Sequence, residues 1–279
     1  MRLRLYHHPD GARVAYREVG AGAPLVLVHS GLLSHREWDP VVGRLAESFR
    51  VILPDLPLHG DSEDRPRHPY TLDWFAEVFA GFTTEVLGSR PMLAGHAAGA
   101  EIVLHAVLSG RVRAERLVLM PNRLHAMPEH PRMHAAWQLV TRAAAVPGLD
   151  SLLAYGAGAL FAPERGPRLS ARGNPAAADV LRHAFADVPG NSSLARSWAK
   201  CARSWPRGAQ RQLLEQYGQL DLPVLLLWAD RDRLHPLKTA EEALARLPQG
   251  QLRVLESTGF LMAYDDPVGL VRELIAFCG

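Results

Sequence analysis

A mostly parallel α/β sheet, interrupted once by a helical segment, is the fold that this sequence predicts. Three observations carry the prediction. Short continuous apolar runs, such as Pro24-Leu-Val-Leu-Val-His29 and Pro223-Val-Leu-Leu-Leu-Trp-Ala229, alternate with stretches of helical spacing, the rhythm of a sheet covered on both faces. That rhythm stops across residues 121–220, which read as helices alone, and then resumes. The chain has 279 residues and 48% hydrophobic content, enough to bury a large core. About eight strands are expected, with a core from residues 1–120 and 221–279 and a helical cap, 121–220, inserted after the sixth strand.

Taken in order, residues 2–7 and 13–19 alternate around Asp10-Gly11 and predict an antiparallel hairpin. Pro24–His29 and Arg50–Pro54 are buried strands. Between them Trp38, Val41, Val42, Leu45 and Phe49 recur at helical spacing, predicting a helix from about Arg36 to Phe49. Thr71 caps a helix running to Leu87, with Gly88 as its stop. Pro91–Gly95 is a short strand, followed by a sharp turn and an apolar helix closed by Gly110; Arg116–Met120 is the next strand. The insert is read as helices over Arg132–Ala145, Asp150–Phe161, Pro175–Ala186, Ser193–Trp205 and Ala209–Tyr217. Strand 223–229, a helix near Leu237–Leu247, strand Leu252–Glu256 and helix Pro267–Phe277 complete the pattern.

Charge excludes some functions. The net charge is +2, and of 31 basic residues only Lys200 and Lys238 are lysines. An arginine bias of this kind fits a GC-rich or thermophilic genome, and a bacterial protein is expected. No run of four or more basic residues is present, so a phosphate-backbone reader is not expected. The insert holds 12 basic against 6 acidic residues, a net +6, while the rest is at −4. A cationic cap over a sheet would favour an anionic ligand. The N-terminal residues lack the apolar run of a signal peptide, and no stretch reaches the ~18 apolar residues of a membrane span. Cys201 and Cys278 are too few and too far apart in sequence for a disulfide scaffold. A soluble cytoplasmic protein is therefore expected.

The motif around which the chain is organised is Gly95-His96-Ala97-Ala98-Gly99, at a strand–turn–helix junction. Gly-x-Ser-x-Gly at such a junction is a nucleophile elbow, where a strained turn exposes serine above the sheet. Here the serine's place is taken by Ala97. Four further stretches lie in a consistent order: His29-Ser30-Gly31 followed by Trp38; Asp55-Leu-Pro-Leu-His-Gly-Asp-Ser62; Trp228-Ala-Asp-Arg-Asp232 followed by Pro236; and Ser257-Thr-Gly-Phe-Leu-Met-Ala-Tyr-Asp-Asp-Pro267.

Together with the elbow, these motifs resemble those of the α/β-hydrolase family, over essentially the whole chain. The resemblance implies that the loop at His29 and the amides of Gly31 and Ala98 form the oxyanion side of the site. It implies that Asp232 is the counterpart of the triad's acid and that Phe260 stands where the family has its catalytic histidine. Leu58 also occupies a position where the family usually has glycine, and Ser30 departs from the His-Gly pattern. Several departures mark a natural chain more than one inactivated by a single engineered change.

A methyl group cannot attack and a phenyl group cannot take a proton, so ordinary ester hydrolysis through an acyl-enzyme is not expected. Three readings remain. The first is a repurposed non-triad enzyme, of lyase, cyclase or water-adding type, that holds a small carbonyl or carboxylate compound in the old cavity. The aminoacrylate hydrolases of pyrimidine breakdown resemble this chain in carrying alanine at the elbow, although they usually keep the histidine. The second is a non-catalytic ligand-binding pseudoenzyme. The third is a hydrolase with a non-standard base, His235 first among the candidates, with His59 or a histidine of the insert (His125, His130, His134, His183) as others. His96 fills the variable elbow position, as a packed histidine or a ligand contact. No histidine or cysteine spacing matches a metal signature. No cofactor, nucleic-acid partner or membrane contact is expected, and the oligomeric state is not legible.

Overall fold

In the computed structural model, residues 1–63, 67–88, 90–126, 131–143, 145–146, 148–149, 152, 169–184, 191–206 and 210–279 are described. Eight strands form one sheet: β1 (Arg2–His7), β2 (Arg13–Val19), β3 (Pro24–Val28), β4 (Arg50–Pro54), β5 (Met92–Gly95), β6 (Arg116–Leu119), β7 (Val224–Ala229) and β8 (Gly250–Leu255). Their order is β1-β2-β4-β3-β5-β6-β7-β8. The hairpin β1–β2 and the β2–β4 pair are antiparallel, and every other pairing is parallel. This is the expected α/β-hydrolase-type sheet, with β6 and β7 adjacent although residues 120–223 separate them in sequence.

Side chains alternate across each strand, so each apolar run feeds two cores. Val26, Val28, Leu93, Leu117, Leu119 and Leu226 pack under α2 (Leu72–Leu87) and α3 (Ala98–Leu108). Leu25, Leu27, Val51, Met92, Val118 and Leu227 face the other way, onto α1 (Asp39–Leu45) and the C-terminal helix. Each such buried side chain contributes on the order of 1.5–3 kcal/mol. Helix α2 begins and ends as its sequence predicts. The Thr71 side chain accepts from the Trp74 amide, and Gly88 takes φ 63, the left-handed conformation of a helix stop.

The helix expected over 36–49 is shorter. A 3-10 turn, His35–Trp38, precedes α1, and Phe49 lies past the helix end while still buried in the core. Spacing locates an apolar face but does not register where the chain must turn back into β4. In the insert, the described helices are α4 (Pro131–Ala143), α5 (Ala177–Ala184), α6 (Ser192–Ser204) and α7 (Arg211–Gln216). The helix expected over 150–161 lies, apart from residue 152, outside the described residues. After β7 come α8 (Leu237–Leu244), then β8, the short α9 (Met262–Asp265) and α10 (Pro267–Cys278). Among the described residues no helix is long and apolar enough to cross a membrane.

The insert is tied to the sheet's edge loops by polar contacts. Glu101 of α3 accepts from Arg123 Nε and Nη2 at 2.9 and 2.7 Å and from Trp205 Nε1 at 2.7 Å. On the opposite side buried Asp265 accepts from the amides of Ala171 and Gly259 at 2.8 and 2.7 Å and from the Ser170 hydroxyl.

Candidate functional site

The junction of β5 and α3 has the geometry of an elbow. Ala97 sits at φ 46 and ψ −116, a conformation that L residues avoid. It is over-determined by its surroundings. The amide of His96 donates to the Val28 carbonyl and that of Ala97 to the Pro121 carbonyl, each at 3.0 Å. The flanking glycines permit the close approach: a Cβ on Gly99 would lie 2.4 Å from the His29 carbonyl oxygen, and one on Gly95 2.7 Å from Ala100.

Gly31 packs against the start of α3, close enough that a Cβ on it would meet the Ala98 methyl at 3.2 Å. Among the described residues, neither the Gly31 amide nor the Ala98 amide donates to an acceptor within the chain. The Ala98 amide lies at the N-terminus of α3, where the helix dipole favours negative charge.

Two histidines near the elbow are each oriented by a carboxylate. His235 Nδ1 lies 2.8 Å from Asp232 Oδ2, and the other oxygen of Asp232 accepts from the Leu234 amide at 2.7 Å. Both side chains are buried, and His235 Nε2 has no hydrogen-bond partner among the described residues. Burial pushes the Asp232 carboxyl up, but the hydrogen bond and charge of His235 outweigh it and hold the group below the usual range.

The His235 ring stacks on Phe260, centroids 6.0 Å apart and planes 22° apart. Phe260 also contacts the His96 ring at 4.6 Å. The three rings thus form a row ending beside Ala97. His96 Nδ1 is hydrogen-bonded to Glu37, whose second oxygen accepts from the Ser30 amide at 2.7 Å, and both side chains are buried. Burial raises Glu37, and the His96 charge and hydrogen bond more than reverse that, so its carboxyl lies below the usual range. Sequence reading missed Glu37. It sits in the polar run Ser34-His-Arg-Glu37 directly before Trp38, where nothing local sets it apart from its neighbours.

His29 is spent within the chain. Its Nε2 accepts from the Leu56 amide at 2.9 Å, and its Nδ1 donates to the Ser30 carbonyl at 2.8 Å. Burial lowers its pKa, so it is a neutral strut between two loops. The expected loop after β4 keeps its backbone: Leu58, where the family usually has glycine, takes φ 77. His125 is paired with Glu242 at 2.9 Å, and His183 lies on α5. The side chain of His134 and the whole of His130 lie outside the described residues.

Among the described residues one group could offer a metal three ligand atoms, His35, Asp55 and Asp61, all within 4.8 Å. The Arg17 guanidinium contacts all three, at 3.1 Å to His35 and 3.5 Å to Asp55, and so already supplies the positive charge. Cys201 and Cys278 are buried free thiols, both pushed up to about 12 by burial and so poor nucleophiles.

With fold and elbow in place, comparison with known proteins is direct. Residues 23–267 match the model of the alpha/beta hydrolase fold family. The chain belongs to that family. An uncharacterized protein of Mycobacterium tuberculosis is 25% identical, covering 97% of this chain and 79% of that protein. A pimeloyl-[acyl-carrier protein] methyl ester esterase of Methylococcus capsulatus is 29% identical, covering 92% of this chain and 96% of the relative. Among solved structures, an alpha/beta hydrolase fold protein from Burkholderia ambifaria superposes with a TM-score of 0.82 at 25% identity, over 98% of this chain and 97% of that one. These relatives are uncharacterized proteins, hydrolases or esterases.

Proposed function

We propose that this chain binds a small, largely apolar compound bearing a carbonyl or carboxylate and acts on it by proton transfer, as a lyase, cyclase or water-adding enzyme, without an acyl-enzyme. In this reading Ala97 and Phe260 stand where a hydrolase keeps its nucleophile and its base. The amides of Gly31 and Ala98 hold the ligand's oxygen, His235 is the base, and Asp232 orients it. The helices of 121–220 cap the site, and their net +6 favours an anion.

The observation that carries this reading is the 2.8 Å bond from Asp232 to His235 Nδ1, with Nε2 left free. The bond supports a reading in which the acid orients a histidine three residues along its own loop, and that histidine supplies the base that position 260 lacks. Proton removal beside a carbonyl then breaks the C–H bond, passes the proton to His235 Nε2, and moves the electron pair into an enolate. The enolate's oxygen faces the two amides, where its charge is stabilised without any side-chain hydroxyl.

The ester-cleaving activity named for the Methylococcus relative needs a nucleophile that a methyl group at position 97 does not supply. Incubation with a fluorophosphonate probe followed by intact-mass spectrometry tests this half of the reading. No adduct is expected, and no turnover of p-nitrophenyl acetate above a heat-killed control. An adduct on any residue of 95–99 would refute it.

A further inference from the structure

His59 is a buried histidine whose hydrogen-bonding state is defined by its neighbours. Its Nδ1 lies 3.0 Å from the Pro57 carbonyl, which can only accept, so Nδ1 carries the proton. Nε2 is then a bare lone pair, and it has no partner although the residue is only 6% exposed. A buried acceptor without a donor costs about 1–3 kcal/mol. The ring cannot relieve this by taking a second proton, because burial first, and the His29 ring beside it, push its pKa down to about 3.

The position of this atom is informative. The His59 ring packs on His29 at 4.9 Å, and His29 directly follows β3, two residues before Gly31. Its other neighbour is Trp198 of α6, edge-on at 4.7 Å. His59 therefore lies at the seam between the loops beside the elbow and the insert. The Gly31 and Ala98 amides, on the loop that His29 opens and at the start of α3, offer two donors without an acceptor among the described residues. His59 supplies the opposite half, an acceptor without a donor.

We propose that His59 is a specificity-determining residue whose Nε2 accepts a hydrogen bond from a hydroxyl of the ligand, so that the ligand class is the hydroxy-carbonyl or hydroxy-carboxylate compounds. This rests on the reading of the Gly31–Ala98 cradle as the carbonyl site. A hydroxyl fits better than an ammonium, since moving a charged donor into this aromatic surrounding costs far more than moving a neutral one. A site built to receive a hydroxyl rejects the analogue lacking it, because the analogue leaves a buried group unpaired.

Matched acids test the inference by calorimetry: phenylacetate against mandelate, and 3-phenylpropanoate against 3-hydroxy-3-phenylpropanoate. At least one hydroxy acid is expected to bind ten-fold or more tightly than its deoxy partner, and His59→Phe, similar in shape, to abolish that difference. The wild-type comparison stands even if the variant folds poorly, which its thermal unfolding will report. Equal affinities within both pairs, or a preference that survives in folded His59→Phe, overturn the inference. If equal affinities come with ten-fold weakening in Ala97→Phe, the cradle reading survives alone. Absence of binding by all four acids, or binding indifferent to Ala97→Phe, overturns both.

Discussion

Replacing Ala97 by glycine should stabilise the protein, contrary to the usual effect of an Ala→Gly change near a helix. At φ 46 and ψ −116 the Ala97 backbone carries a strain of about 1–3 kcal/mol. Glycine adopts this conformation as readily as its mirror image, φ −46 and ψ 116, the first central position of a tight turn. Against that relief stand glycine's greater freedom in the unfolded chain, about 0.4–1 kcal/mol, and a lost methyl worth less than about 0.8 kcal/mol at a half-buried position. Alanine is also a poor residue to precede a helix, and here it makes no capping bond. The net expectation is about 0.5–1 kcal/mol of stabilisation, a rise in Tm of about 1–4 °C for a chain of this length. Differential scanning calorimetry of both proteins measures it. A Tm lowered by more than about 2 °C would show that the elbow is not strained and that nothing holds position 97 in a nucleophile's geometry.

Acidification should destabilise the fold from about pH 6.5 downward. His29 and His59 are held below their ordinary 6.5, so between that value and their folded pKa the unfolded chain binds the extra protons and stability falls with pH. In His59→Phe the slope of stability against pH between about 4 and 6 should be shallower by about 1.4 kcal/mol per unit, as read by urea unfolding; an unchanged slope would mean that His59 titrates normally. Asp55, Glu37 and Asp232, all held low in the fold, add the same trend below about pH 4.5. Glu101→Ala leaves Arg123 and the Trp205 N–H without their buried acceptor and should cost about 3 kcal/mol, with new proteolytic cleavage near residue 205; a loss under 1 kcal/mol would deny that this network anchors the insert. Gly99→Ala forces a methyl to within 2.4 Å of the His29 carbonyl oxygen and should lower stability by about 2–3 kcal/mol or more, again by urea unfolding; a neutral result would mean β3 and α3 do not touch there.

Much of the fold was legible because backbone chemistry announces itself. Asp10-Gly11 between alternating runs gave the hairpin, Thr71 and Gly88 bounded α2, and the continuous apolar runs gave the parallel strands. The elbow was equally clear, since Gly95 and Gly99 are required by approaches that no Cβ permits. Less legible were pairings between residues far apart in sequence. Glu37 and His96 are 59 residues apart, and nothing local marks either as the other's partner. The Asp232–His235 bond was hidden differently. A spacing of three on a loop permits the contact without requiring it, and only the turn through Leu234 brings the ring back onto the carboxylate. His29 was read as part of the ligand site, whereas both its nitrogens brace the surrounding loops.

Deuterium wash-in tests the proposed base and cradle together. Phenylpropan-2-one has an apolar body, one carbonyl and an adjacent CH₂, so in D₂O its exchange reports proton removal and enolate stabilisation without requiring the natural substrate. The native protein is expected to accelerate that exchange, followed by proton NMR, well above buffer. His235→Gln, which removes the base while Asp232 stays, should lower the rate by about 10²–10⁴. Exchange no faster than in buffer, or exchange that persists undiminished in His235→Gln, would contradict the assignment of His235 as a base acting on a carbonyl held by Gly31 and Ala98.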